Sequence, residues 1–295
     1  ISVKLVPQNG EVAVAELEIG LNSENLFLDV PAGEKVPTPE VIFYEFTNTV
    51  DLDCAKLHKF CLANYKRKEM PVIYNTWLAN FDNINVDFVC AQIPKAAAIG
   101  CEYFVIDAGW FGKGDDWYSC RGDWKEQASG KLQGKVFEIS EKVRHSGMKF
   151  GLWFEIESAN KKADAIQLHP EDYFTPNGNM YFLDFSNEQA RQRILEVLSE
   201  NIKKYQIEFI KFDFNQDVHY DAKKSAYTAY YRGYELFLTS LKERFPNIYL
   251  ENCASGGMRI DLKNASRFDS FWLSDNQSPY EGMRIFKEGI KRLPP

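Results

Sequence analysis

The chain has only four histidines, at 58, 145, 169 and 219, and no spacing among them would let two share a metal ion. A zinc centre is therefore not expected. It has no unbroken apolar run of the roughly eighteen residues that a membrane span needs. Basic residues are outnumbered, 35 Lys and Arg against 42 Asp and Glu for a net charge of -7, which leaves no basic face to neutralise phosphates and excludes nucleic acid as a partner. The six cysteines (54, 61, 90, 101, 120 and 253) contain no CxxC pair, and several stand in apolar contexts. Buried free thiols are expected rather than disulfides. A starting methionine and a signal peptide are also lacking: Ile1-Ser2-Val3-Lys4 reads as a cut edge, leaving export open with a cytoplasmic location as the expectation.

What is present is an ordinary globular composition, 45% hydrophobic and 26% charged over 295 residues, enough for one large domain or one large plus one small. Aromatic residues reach 15%, which suits a protein whose rings stack on sugar faces and suits a large core equally.

The rhythm changes along the chain. Residues 1–50 hold short alternating runs, Val12 to Ile19 and Leu26 to Leu28, broken by turn signals at Asn9-Gly10 and Pro31-Ala-Gly33. They read as a few antiparallel strands. Residues 51–70 read as a connecting helical segment. From residue 71 to residue 295, short apolar strands alternate with long amphipathic helices. The expected strands are Val72–Tyr74, Tyr103–Ile106, Phe150–Phe154, Phe209–Phe212, Ile248–Leu250 and Phe271–Leu273. The expected helices include Val86–Ile99, Val136–His145, Glu188–Tyr205, Ser225–Phe245 and Glu281–Leu293. Such alternation implies an α/β fold with a parallel sheet, and polar residues at nearly every strand end favour a (β/α)8 TIM-type barrel. Six strand–helix units are visible, two short of closure.

The strand ends, in order, are Asn75-Thr-Trp77, Asp107-Ala-Gly-Trp110, Glu155-Ile-Glu157, Asp213-Phe-Asn215, Glu251-Asn-Cys253 and Asp275-Asn276. Carboxylates, amides and tryptophans on one rim suit an uncharged, hydroxyl-rich ligand. Two strands each delivering a carboxylate, Asp213 and Asp275, fit the pair a glycoside-cleaving site needs. Lys211 stands two residues before Asp213 and should share its face, holding it ionised as a nucleophile. Asp275, following Phe271, Trp272 and Leu273, is expected in an apolar setting that suits a proton donor. The segment Asp213-x-Asn215-x-Asp217 imitates an EF-hand start but has Val218 and Lys224 where that loop needs glycine and glutamate, so no metal and no cofactor are expected. Cys253 has no histidine with a reason to lie beside it, which argues against a thiol nucleophile, and Gly256 and Gly257 would let backbone approach a ligand.

At these residues the chain resembles the retaining α-galactosidases of glycoside hydrolase family 36, the melibiase group. The resemblance runs through Pro31-Ala-Gly-Glu34 with Thr38-Pro-Glu40, Pro71 to Trp77, Asp107-Ala-Gly-Trp-Phe-Gly112 with Gly122-Asp-Trp124, and Gly151-Leu-Trp-Phe-Glu155. It continues in Lys211-Phe-Asp-Phe-Asn215, Cys253-Ala-Ser-Gly-Gly257 and Ser274-Asp-Asn276. It implies the tail of an N-terminal β-sandwich domain over 1–50 and an incomplete catalytic barrel over 71–295. It further implies Asp213 as nucleophile and Asp275 as acid/base, with Asp107, Trp110, Trp153, Lys211, Asn215, Cys253 and Gly256 around the sugar. An α-galactoside oligosaccharide would be the substrate, and a homo-oligomer the assembly. The chain departs from the family in Ala108 for a second aspartate, Glu155-Ile-Glu157-Ser158 for a stretch with proline and methionine, Met258 for a third glycine, and no arginine between Arg144 and Arg191. These departures bear on the sugar, so an N-acetylgalactosaminidase, a galactosyl transferase and a non-catalytic carbohydrate-binding fragment stand as alternatives.

Overall fold

A computed structural model describes residues 2–8, 12–20, 27–36, 38–65, 68–177, 179–216, 226–276 and 278–294. The expected turn at Asn9-Gly10, Leu26, Ser225 and the stretch holding Asp217, Val218, His219 and Lys224 lie outside them.

Short, mainly apolar runs of two to six residues become the strands of one parallel sheet. Its members are β1 (Ile73–Asn75), β2 (Tyr103–Ile106), β3 (Lys149–Phe154), β4 (Phe209–Phe212), β5 (Tyr249–Asn252) and β6 (Ser270–Phe271). They are hydrogen-bonded in chain order, β1 through β6, without the reversal that marks a doubly wound sheet. The result is an α/β fold on a curled, half-barrel-like parallel sheet. The crossovers are α2 (Val86–Ala98), α3 (Val136–His145), α4 (Glu188–Tyr205) and α5 (Ala226–Arg244), while α1 (Val50–Asn64) precedes the sheet and α6 (Pro279–Gly289) follows it. Asparagines cap two of them: Asn85 accepts from the Phe88 amide and Asn187 from those of Gln189 and Ala190. The β5–β6 connection has only one helical turn, Leu262–Ala265. Near the N-terminus, Ser2–Gln8 pairs antiparallel with Val12–Glu18, and the Pro31–Glu34 turn closes with a 3.0 Å bond from the Glu34 amide to the Pro31 carbonyl.

Two insertions with strands of their own follow β2 and β3. After β2, Gly112–Gly114 pairs with Glu126–Gly130; after β3, Ser158–Asn160, Met180–Leu183 and Tyr173–Asn177 form a small antiparallel sheet. The insertions touch where Gly122, at φ +115, leaves a would-be Cβ only 2.6 Å from the Ala159 methyl. A side chain there would collide, so glycine is required.

The pleat sorts residues to the two faces. On the helix side Phe104, Ile106, Phe150, Leu152, Phe154, Ile210, Phe212 and Leu250 join the main core. On the other side Val105, Phe209 and Tyr249 form a separate apolar layer with Tyr103, the Phe209 and Tyr249 rings stacked at 5.1 Å. Gly151 lies in this layer because a Cβ there would stand 2.8 Å from the Phe209 Cβ. Two residues further along each strand comes a polar row, Trp153–Lys211–Glu251–Ser270, paired in register across β3, β4, β5 and β6. That row is the floor of the candidate site.

Candidate functional site

Each functional side chain belongs to a strand's last residues or to the loop just beyond it. Lys211, within β4, is buried, and its ammonium meets Asp107 Oδ2 at 2.9 Å rather than pairing with Asp213. The expectation from the spacing is corrected on this point: Lys211 and Asp213 do follow two apart, but Asp107, reaching in from the end of β2, takes the ammonium. The same Asp107 oxygen accepts from Asn75 Nδ2 at 2.8 Å, and its other oxygen from the Ala108 amide at 2.9 Å. Burial opposes the Lys211 charge, but Asp107, Cys253, Asp213 and Glu251 around it hold its proton more firmly than in water. The Trp272 ring covers the ammonium at 3.8 Å, a cation–π contact.

Asp213 begins where β4 stops, its amide bonded to the Phe154 carbonyl at 2.9 Å. Its carboxylate is used wholly as an acceptor. Oδ2 receives Asn215 Nδ2 at 2.9 Å and Trp153 Nε1 at 3.2 Å, and Oδ1 receives the amides of Phe214 at 2.8 Å and Ser255 at 3.3 Å. Four N–H donors hold the two oxygens in place. Cys253 is buried next to it: burial, with the Asp213 charge second, pushes the thiol well up from its ordinary range. A thiolate nucleophile is therefore not what this pocket favours.

Asp275 is placed differently from the expectation. Strand β6 ends at Phe271, so 272–275 is loop, and Asp275 turns out to solvent instead of lying in an apolar pocket. Trp272 Nε1 donates to its Oδ1 at 2.9 Å. One indole thus joins the exposed carboxylate to the buried Lys211–Asp107 pair. The Cys253–Gly257 turn supplies the other link, from the Ser255 amide on Asp213 to Gly256, whose would-be Cβ lies 3.0 Å from the Ser274 Cα. Gly256 and Gly257 allow close approach of the Leu273–Ser274 backbone.

Trp110 is not brought to the pocket. Its ring is 1% exposed among Phe111, Phe154 and Tyr205, and its Nε1 donates to the Trp153 carbonyl at 2.8 Å. The residue after Gly109 turns back under the sheet into the helix-side core, so Trp110 supports Trp153 from behind.

The residues missed from sequence are two arginines. Arg121, on the first insertion, meets Glu155 Oε1 at 2.9 Å with both side chains buried. Glu155 Oε2 accepts from Asn215 Nδ2 at 2.9 Å, so Asn215 bridges Glu155 and Asp213. Burial pushes Glu155 up and Arg121 offsets part of that. Arg259 grips Glu157 through both its terminal nitrogens, at 2.5 and 3.0 Å, with the Tyr230 hydroxyl also on Glu157. Its guanidinium lies 4.3 Å from the Phe214 ring centre, which pins the loop after β5 against the loop after β4. The only signal for these was the unpaired glutamates of Glu155-Ile-Glu157, since a buried carboxylate needs a cation. Among the described residues no cluster of three or more His, Cys, Asp or Glu side chains could hold a metal ion, all six cysteines are free, and no helix is long and apolar enough to cross a membrane.

The Melibiase family model matches residues 37–291. Alpha-galactosidase Mel36A of Lactobacillus acidophilus is 30% identical over 287 residues, covering 90% of this chain and 39% of that protein. Alpha-galactosidase 1 of Pediococcus pentosaceus is 31% identical over 281 residues, covering 88% of this chain and 38% of that protein. In fold, the chain is similar to the crystal structure of the GH36 alpha-galactosidase AgaA from Geobacillus stearothermophilus, with a TM-score of 0.85 at 23% identity over 99% of this chain and 43% of that one. The chain spans about two fifths of the length of these curated relatives.

Proposed function

The chain belongs to the melibiase family, and from that premise we propose that it is the catalytic core of a retaining exo-glycosidase that removes terminal α-galactosyl residues. The observation that carries the reading is the pairing of a sunken, fourfold-donated carboxylate, Asp213, with a rim carboxylate, Asp275, tied back to the same floor by Trp272. A nucleophile must reach an anomeric carbon from beneath the sugar, and Asp213 is only 8% exposed. A proton donor to the departing oxygen must stand where the rest of the oligosaccharide lies, in solvent, as Asp275 does. In the proposed reaction Asp213 attacks the anomeric carbon while Asp275 protonates the leaving oxygen. Water, deprotonated by Asp275, then cleaves the glycosyl-enzyme with net retention, which asks for carboxyl groups about 5–5.5 Å apart.

Asp107, Lys211, Trp153 and Cys253 supply the floor on which the galactose hydroxyls rest, with Asn215 orienting Asp213 from the side. Ala108 and the two glutamate–arginine pairs bear on which α-linked sugar is accepted. The curled sheet is read as the larger part of a (β/α)8 barrel, with residues 1–50 as the end of a β-sandwich. An oligomer, as the resemblance implies, is part of the same reading.

The test uses the complete gene product and a nitrophenyl α-galactoside. Asp213→Asn should abolish turnover, by about 10⁴-fold or more, while circular dichroism and melting stay unchanged. Appreciable residual turnover in a preparation free of wild type would sink the assignment. Nuclear magnetic resonance of the first-released sugar should show the α anomer, and a β anomer would refute retention.

A further inference from the structure

One buried carboxylate has no part in the reaction just described. Glu251, the third residue of β5, is 4% exposed and sits in the polar row between Lys211 on β4 and Ser270 on β6. Because paired residues of parallel strands project to the same face, its side chain stands beside that of Lys211 over the aromatic layer of Phe209 and Tyr249. Among the described residues its one hydrogen bond is a long one, 3.5 Å from Ser270 Oγ to Oε1. The charged groups that act on it are Lys211, its register partner on β4, Asp107 from beyond β2 and Asp213 from beyond β4. A carboxyl so poorly solvated, between one cation and two anions, is an unusual thing to build into a barrel floor.

We propose that Glu251 is a positioning residue whose proton sets the charge of the pocket floor, and through Lys211 the strength with which Asp107 and Asp213 act on the sugar. When Glu251 is ionised, three carboxylates surround Lys211. Its ammonium is then shared toward Glu251, Asp107 and Asp213 keep more of their negative charge, and the positive charge developing at the anomeric carbon is better stabilised. When Glu251 holds its proton, Lys211 is shared among fewer anions and the floor is less negative. Burial is the leading cause pushing the Glu251 carboxyl up to about 7, with Asp107 and Asp213 adding to it and Lys211 and Ser270 opposing. The switch thus lies within the neutral range.

The inference rests on the glycosidase reading, and its test separates the two. In the complete gene product, carboxyl-¹³C-labelled glutamate is followed by nuclear magnetic resonance from pH 5 to pH 9 beside kcat/KM for a nitrophenyl α-galactoside. One glutamate should titrate near neutrality and vanish in Glu251→Gln. In the unmodified enzyme kcat/KM should rise about tenfold through the same midpoint, and Glu251→Gln should remain at the acid-side plateau throughout. Ser270→Ala, which removes a donor to the charged form, should move both midpoints upward without abolishing either. A neutral titration or a kcat/KM inflection that persists unchanged in Glu251→Gln overturns the proposal. So does a Glu251 resonance that titrates in the ordinary carboxylate range. If the unmodified protein cleaves no α-glycoside, the glycosidase reading falls, and the carboxyl resonance still decides whether Glu251 carries the neutral proton.

Discussion

Replacing Arg121 by methionine isolates the contribution of one buried ion pair to both stability and site geometry. The guanidinium is 2% exposed and the Glu155 carboxylate 0%, with 2.9 Å between Nη1 and Oε1. Methionine fills much of the volume and already has a partner in place, since Arg121 Nη2 lies 3.0 Å from Met180 Sδ. What remains for Glu155 is Ser158 Oγ at 2.5 Å and Asn215 Nδ2 at 2.9 Å, two neutral donors for a buried anion. Removing one member of such a pair costs about 3–5 kcal/mol, whereas an intact buried pair is itself close to neutral against an apolar substitute. The loss should therefore be partly reversed by a second change: Arg121→Met with Glu155→Gln should recover at least half of it. The pH dependence follows from linkage. Burial already raises the Glu155 carboxyl in the folded state, and Arg121 is its main opposition. Without Arg121 the folded protein holds that proton still more tightly than the unfolded chain does. The benefit of this binding is full below the unfolded value, near 4.3, and is lost as pH rises through the folded value. The deficit of Arg121→Met should thus be small near pH 5 and grow toward about pH 8. Urea unfolding of the complete gene product at several pH values measures it. A deficit under about 1 kcal/mol at pH 8, or one that does not change with pH, or a double variant no better than the single, would refute the reasoning.

Two further outcomes are expected. Gly233→Ala places a methyl 1.7 Å from the Phe185 carbonyl oxygen, where α5 crosses the backbone before α4, so unfolding should show a loss of about 3 kcal/mol or more, and a loss under about 1 kcal/mol would contradict the close approach. Trp272→Phe keeps a ring for Lys211 but removes the 2.9 Å bond from Nε1 to Asp275, so kcat should fall about tenfold with melting unchanged, and an unaltered kcat would remove Trp272 from the site.

Much of this fold was legible because a buried parallel strand has to be apolar on both faces and a barrel-type strand has to end in something polar. Tyr103–Ile106 and Phe209–Phe212 were found to the residue, and α3 and α4 likewise. Where the pattern blurred, the ends moved: β5 runs on to Asn252 because Glu251 and Asn252 continue the ladder despite their polarity, and β6 stops at Phe271 although Trp272 and Leu273 are apolar. That second difference is why Asp275 is exposed. Partners across the sheet were less legible than positions along it. Spacing along one strand pointed Lys211 at Asp213, but the register between strands and the reach of Asp107 decide where the ammonium goes. Arg121 was illegible for a similar reason, since nothing local in Cys120-Arg-Gly122 shows that an insertion will fold over β3 and meet Glu155.

The charged groups of the site divide by where they stand relative to the ladder, and the division says which of them can be changed cleanly. Lys211 and Glu251 lie within β4 and β5, directly above an aromatic layer, in a sheet where a one-residue slip would exchange charge for core on every strand. Removing either disturbs packing and pairing as well as charge, so their isosteric variants are the informative ones. Asp107, Asp213 and Asp275 stand past the ends of β2, β4 and β6. Their backbones are held by short local bonds, the Asp107 amide to Thr76 Oγ1 at 3.0 Å and the Asp213 amide to the Phe154 carbonyl at 2.9 Å, which do not depend on the side-chain charge. Asp213→Asn keeps the shape and both amide contacts on Oδ1, so a loss of turnover in a folded variant would reflect the reacting carboxylate and not the scaffold beneath it.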